Sequence, residues 1–145
     1  MPRCSTTSVS RASVKIARLA DRPEALPTVA GWFSSEWPDH PVDLSQGCVL
    51  VACEAGEPLG TVSLRAHALD GHPQLAPGLG GLYVAPAHRR RGVASALVRA
   101  AMTMGNVELY AATAHARGVF ERLGWHLFQT VTHEGEALAV YRWRA

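Results

Sequence analysis

Apolar and polar residues alternate through "VKIARLA" (14–20), a period of two that predicts an opening strand. The period then lengthens. Leu26, Val29, Phe33 and Trp37 recur three or four residues apart, the buried stripe of a helix. Asp21 stands where that helix would be capped and Pro23 fits its first turn, whereas Pro27 would remove a hydrogen bond further in. "EWPDHP" (36–41) ends the segment. Two apolar runs, "CVLVACE" (48–54) and "LGTVSLRAH" (59–67), flank the turn "AGEP" as a hairpin, and "LDGHPQLAPG" (69–78) is a turn-rich connection. "LGGLYVAP" (79–86) is a short strand, followed by a helix with Val93, Leu97, Ala101 and Met104 on one face and Gly105 closing it. "VELYAAT" (107–113) is the next strand, "HARGVFERLGW" (115–125) a short helix ended by Gly124, and "HLFQTVTHEGEALAVYRW" (126–143) a hairpin turning at Glu134 and Gly135. The order is β-α-β-β-β-α-β-α-β-β, an α/β chain with a mixed sheet and no internal repeat.

A chain of 145 residues suits one domain, read here as 14–145, and folding at this size buries roughly two-thirds of the unfolded surface. Residues 1–13 are polar, lack the apolar core of a secretory signal and read as a disordered lead-in. Cys4, Cys48 and Cys53 are odd in number and have no CxxC spacing, which favours a reducing, cytoplasmic setting over a disulfide framework or zinc site. The histidines His40, His67, His72, His88, His115, His126 and His133 lack HxxxH or HExxH spacing, so no metal is expected. No apolar run reaches the roughly 18 residues of a membrane span. A net charge of +2 is too small to argue for nucleic acid, which would need a broad basic face or stacking aromatics.

One stretch raises a question of sign. In "VAPAHRRRGVASALVRA" (84–100) three arginines precede a glycine and the first turn of a helix. A helix N-terminus already carries roughly half a positive charge and unpaired N–H groups, so arginines there are misplaced unless an anion joins them. A strand, a tight loop and a helix start of small residues form an anion cradle that a pyrophosphate would fit. Gly92 permits close backbone approach, Ala94 and Ser95 keep the first turn low, and arginines can clasp phosphate oxygens. Neither GxxxxGK[ST] nor GxGxxG is present.

Arg89, Arg90, Arg91, Gly92, Val93 and Ala94 match the Q/R-x-x-G-x-G/A signature of the GNAT acetyltransferase superfamily, and "ARGVFERLGW" resembles its later helix and "LGF" turn. The element order agrees from about Val14 to Trp143. The resemblance implies the GNAT acyl-CoA N-acyltransferase fold and acetyl-CoA as co-substrate. Leu82, Tyr83 and Val84 would then offer backbone groups to the pantetheine and thioester, and Arg89, Arg90, Arg91, Gly92, Val93, Ala94 and Ser95 would hold the diphosphate. Cofactor phosphates would answer the question of sign.

The pattern departs from the family at two points. The tyrosine of "FYxxLGF", which protonates the leaving thiolate, is replaced by Phe120, and the glutamate often found on the strand before the loop is replaced by Gly80 and Gly81. Water, a backbone carbonyl, Tyr83, Tyr110 or His115 must then be considered for proton transfer. Trp37 packs, or else walls the acceptor pocket with Glu36 and Asp39, whose carboxylates would attract a cationic amine. Cys48 and Cys53 read as core residues rather than acyl carriers. The expected activity is direct acetyl transfer from acetyl-CoA to a primary amine of a small molecule or peptide. The partners are that acceptor and, in a homodimer, a second copy of the chain, without nucleic acid or membrane. The alternative is a non-catalytic acyl-CoA-binding sensor.

Overall fold

The computed structural model describes residues 14–39, 44 and 48–145, so the lead-in, Cys4 and His40 lie outside the described residues. The strands are β1 (Lys15–Arg18), β2 (Cys48–Glu54), β3 (Glu57–Arg65), β4 (Gly78–Val84), β5 (Glu108–Thr113), β6 (His126–His133) and β7 (Glu136–Arg144). The helices are α1 (Leu26–Glu36), α2 (Val93–Met102) and α3 (Arg117–Arg122). Apart from short 3-10 turns, this is the order that the hydrophobic pattern predicts. No helix among the described residues is long and apolar enough to cross a membrane.

All seven strands form one sheet in the order β1-β2-β3-β4-β5-β7-β6, antiparallel except where β4 meets β5. Leu50 and Ala52 of β2 pack into the cluster built around Val93, Leu97, Val98 and Ala101 of α2, while Val49 and Val51 join Val29 and Phe33 of α1 in a second cluster. A strand covered on both faces needs no polar alternation, which is why "CVLVACE" reads as a continuous apolar run. The β2–β3 turn has left-handed Ala55 and Gly56, and the β6–β7 turn left-handed Glu134 and Gly135, the backbone of a two-residue hairpin whose twist matches its strands.

The first helix differs from expectation at its start. Asp21 caps nothing: it belongs to a 3-10 turn, Leu19–Asp21, and a second such turn, Pro23–Ala25, follows. The α-helix begins at Leu26, so Pro27 falls in its first turn, where its missing N–H has no intrahelical partner to lose. One position of the expected stripe changes. Ala25, Val29 and Phe33 are buried, Trp37 is partly buried, and Leu26 is exposed. In α2 the buried residues are Val93, Leu97, Val98 and Ala101, and the helix ends at Met102, three residues before Gly105. Thr103 closes it by donating from both its amide and its Oγ1 to the Ala100 carbonyl.

Gly78 opens β4 beside the connection from β3, and a Cβ there would fall on the backbone of His67 and Ala68. Backbone atoms cannot swing aside like a side chain. Gly78→Ala is therefore expected to destabilise the fold by about 3 kcal/mol or more, at or above the usual range for overpacking. Thermal unfolding measures this, and a melting temperature within a degree of wild type would contradict the packing described here.

Candidate active site

β4 has strand neighbours on both edges only at its beginning. Gly78 and Leu79 pair with Tyr110 and Ala111 of β5, and from Gly80 onward only β3 remains alongside. Thr61 opposes Tyr83 and Ser63 opposes Gly80, so Gly81 and Leu82 together face the single residue Val62. A bulge of this kind bends its strand and increases its twist. Gly81 takes a φ of 61°, in the left-handed region that favours glycine. β4 and β5 are left with an opening between them.

Beyond β4 come the 3-10 turn Pro86–His88 and the arginine loop. Gly92, the residue before α2, has φ 79° and ψ 13°, and Arg90 has φ 64°, which costs a non-glycine residue about 1 kcal/mol. Left-handed residues interleaved in a turn direct N–H groups toward one side, the geometry of an anion-binding nest. No side chain caps α2 and its first turn has no acidic residue. The first helical amide with a backbone acceptor is Ala96, which donates to the Gly92 carbonyl at 3.0 Å.

The three arginines do different things. Arg89 donates from Nε to the Val84 carbonyl at 2.7 Å and lies 5.6 Å from the centre of the Tyr83 ring. Arg91 donates from Nη2 to both carboxylate oxygens of Glu54, at 2.9 and 3.0 Å, and its Nη1 lies 3.2 Å from His88 Nδ1. His88 in turn lies 3.2 Å from Glu57. This chain ties the loop to the β2–β3 hairpin and gives Arg91 its counter-charge. Arg90 is exposed and has no side-chain partner among the described residues.

The proton-transfer candidates are scattered. Tyr83 is half-buried on β4 past the bulge, with its ring 5.3 Å from that of Trp32 on α1. Tyr110 sits on β5 before the divergence, buried with Leu75 and Val140 and edge-on to Phe128. His115 is exposed in the loop after β5, 4.0 Å from Glu136. Phe120 is buried edge-on to Trp125 and stacked on Tyr141. The Tyr141 hydroxyl donates to Glu121 at 2.5 Å and accepts from Arg117 Nε at 3.1 Å, which pins α3 to β7.

Of the acceptor candidates, Glu36 and Asp39 are exposed, and Trp37 packs edge-on against Phe33. The charged group that reaches β4 is Arg65, at the end of β3. Its guanidinium atoms lie 3.0–3.1 Å from where a Cβ of Gly80 would stand, and its Nη2 lies 3.1 Å from the corresponding point on Gly81. Phe33 Cζ and Ser63 Oγ approach that second point at 3.0 and 3.2 Å. Sequence reasoning missed Trp32, Ser63, Arg65 and Glu54. A signal existed for two of them: Thr61, Ser63 and Arg65 are polar at every second position of an otherwise apolar strand, and therefore share a face.

The family model described as an acetyltransferase (GNAT) domain matches residues 45–127, more than half of the chain. The chain belongs to the GNAT acetyltransferase family. Similar solved structures include a GNAT-family acetyltransferase from Bacillus cereus, 14% identical, with TM-score 0.73, covering 90% of this chain and 96% of that one. Arabidopsis thaliana Naa50, solved with the bisubstrate analogue CoA-Ac-MVNAL, is 15% identical with TM-score 0.70, covering 92% of this chain and 100% of that one. An aminoglycoside 6'-N-acetyltransferase complexed with coenzyme A is 12% identical with TM-score 0.69, covering 90% and 96%. At these identities the likeness is one of fold. Comparison with curated protein sequences gives no match.

In this GNAT protein Cys53 lines a separate cleft with Lys15, Arg22 and Glu24. Burial pushes its thiol above the usual cysteine range, with nearby Arg22 pulling the other way and Glu24 adding to the rise. A thiol kept neutral is a poor nucleophile. Iodoacetamide labelling of the Cys53 peptide, followed by mass spectrometry from pH 7 to 10, is expected to rise at a higher pH than labelling of free cysteine. A midpoint below that of free cysteine would overturn the reading of Cys53 as a poor nucleophile.

Proposed function

We propose that this protein transfers the acetyl group of acetyl-CoA directly to a primary amine of a small molecule or peptide in a ternary complex. The observation that carries the reading is the parting of β4 from β5 beside the uncapped start of α2. The acetyl thioester supplies the activated carbonyl. The amine nitrogen forms the new C–N bond, the C–S bond breaks, the nitrogen loses a proton and the sulfur gains one.

The chain's own groups fit those tasks unequally. Backbone groups of Leu82, Tyr83 and Val84 border the opening, although the Val84 carbonyl already accepts from Arg89. For the diphosphate, the amides of Val93, Ala94 and Ser95, the flexible approach at Gly92 and the unpaired Arg90 are the groups available, with Arg91 holding the loop in place through Glu54. For the thiolate proton, Tyr83 is the candidate phenol on β4 just past the bulge. Phe120 has none, and that of Tyr141 is engaged by Glu121 and Arg117.

Acetyl-CoA at a hundred times its Kd is expected to stabilise the fold by about 2.7 kcal/mol, visible as a rise in melting temperature. Gly92→Val should abolish the rise, because it forces a β-branched residue to φ 79° and puts a side chain into the open space a ligand phosphate would need. Arg90→Ala should weaken binding more than Arg91→Ala. No shift for wild type at millimolar acetyl-CoA would refute the proposal.

Turnover separates an enzyme from a sensor. With any responsive amine, Tyr83→Phe is expected to lower kcat by about a hundredfold, the lower range for general-acid help, while acetyl-CoA binding persists. Phe120→Tyr should leave kcat unchanged if Tyr83 already serves. Wild-type binding of acetyl-CoA without release of free CoA for any amine would favour the non-catalytic reading.

A further inference from the structure

Ser63 and Arg65 are one unit on the α1 side of the sheet. Both precede the connection to β4 on the same face of β3, and register sets Ser63 opposite Gly80 and Arg65 opposite Gly78. The guanidinium lies along the Gly80–Gly81 backbone, in space that any side chain at those positions would occupy. Arg65 has no hydrogen bond or ion pair among the described residues. Ser63 is 3% exposed, and its hydroxyl has no hydrogen-bond partner among the described residues. A buried hydroxyl in that condition is unfavourable, and so is a half-buried guanidinium with no carboxylate in hydrogen-bond contact. Burial pushes the guanidinium down from its ordinary value, although Asp70 in the vicinity opposes this. The cation and the hydroxyl converge with Phe33 at the notch where β4 bulges at Gly81.

We propose that Arg65 and Ser63 form the acceptor-recognition site for a carboxylate, so that the amine acetylated here belongs to a molecule that also carries a carboxylate, such as a free amino acid. The location rests on the acetyl-transfer reading above. A guanidinium offers paired N–H donors to a carboxylate and the serine hydroxyl adds a third, an arrangement an amide or a simple alkylamine cannot use equally. It also opposes a purely cationic polyamine or aminoglycoside, which would meet like charge at the notch. Gly80 and Gly81 serve this site by their missing side chains.

The experiment compares L-amino acids with their carboxamides as acceptors, reading free CoA release. Wild type is expected to favour the carboxylate in kcat/KM by about ten- to a hundredfold, the discrimination of a hydrogen bond to a charged group. Arg65→Met should remove that preference by lowering the carboxylate rate alone, Arg65→Lys should restore part of it, and Ser63→Ala should reduce it a fewfold. Acetyl-CoA thermal stabilisation should be unchanged in all three variants, which separates this test from the acetyl-CoA reading itself. Where no turnover is seen, N-acetylated amino acids and their amides titrated into the CoA-saturated protein give the same comparison by calorimetry. Equal response to acid and amide in wild type, or an equal loss of both in Arg65→Met and Arg65→Lys, would overturn the proposal.

Discussion

The hydrogen bonding of β4 constrains everything around the site. A strand in the middle of a sheet ordinarily satisfies its backbone on both sides, yet β4 does so with β5 for only two residues. The bulge opposite Val62 turns the remainder away, and Gly81 supplies the left-handed backbone the bulge requires. An exposed backbone edge inside a sheet is unfavourable unless something else covers it. Part of the cover is internal, since Arg89 occupies the Val84 carbonyl at the far end. The rest of the edge faces the opening, which gives an extended ligand with amide groups a strand to lie along.

Charge at the start of α2 follows the same economy. Three arginines against a helix N-terminus would repel, and the structure reduces the problem without a ligand. Glu54 meets Arg91, and a carbonyl and an aromatic ring meet Arg89. Exposed pairs of this kind contribute about 0.2–1 kcal/mol, so their weight lies in fixing the loop's shape rather than in holding the fold together. Only Arg90, itself strained into the left-handed region, keeps an unmatched charge beside the uncapped amides. Strain at a position with free charge is where a binding loop is expected to keep it.

The fold was legible because its signals are local and periodic. A two-residue hairpin turn, a glycine after a helix and the change of period from two to nearly four each survive reading one residue at a time. The start of α1 was not legible for a physical reason: Asp21 and Pro23 satisfy the rules for a helix start as well as Pro27 does, and only the two intervening 3-10 turns decide between them. The arginine loop could be placed at the head of α2, but its partners could not. Glu54 lies 37 residues from Arg91 in sequence, and pairing at that distance depends on the β2–β3 turn and on the position of the loop beyond β4.

The same limit reversed the apparent meaning of Gly80 and Gly81. In sequence they stand as the absence of a family carboxylate. In the folded chain an absent side chain is also an available volume, and the register of β3 against β4 sends Arg65 into it. A glutamate at either glycine would compete with the guanidinium for that space or pair with it, and either outcome would cancel the free positive charge. The glycines on β4 and the arginine on β3 are thus physically coupled: with no side chain at Gly80 and Gly81, the Arg65 guanidinium lies along their backbone. In the proposed carboxylate site the local sign of charge follows from that pair of glycines, whereas the carboxylates of Glu36 and Asp39 are exposed at and just beyond the end of α1.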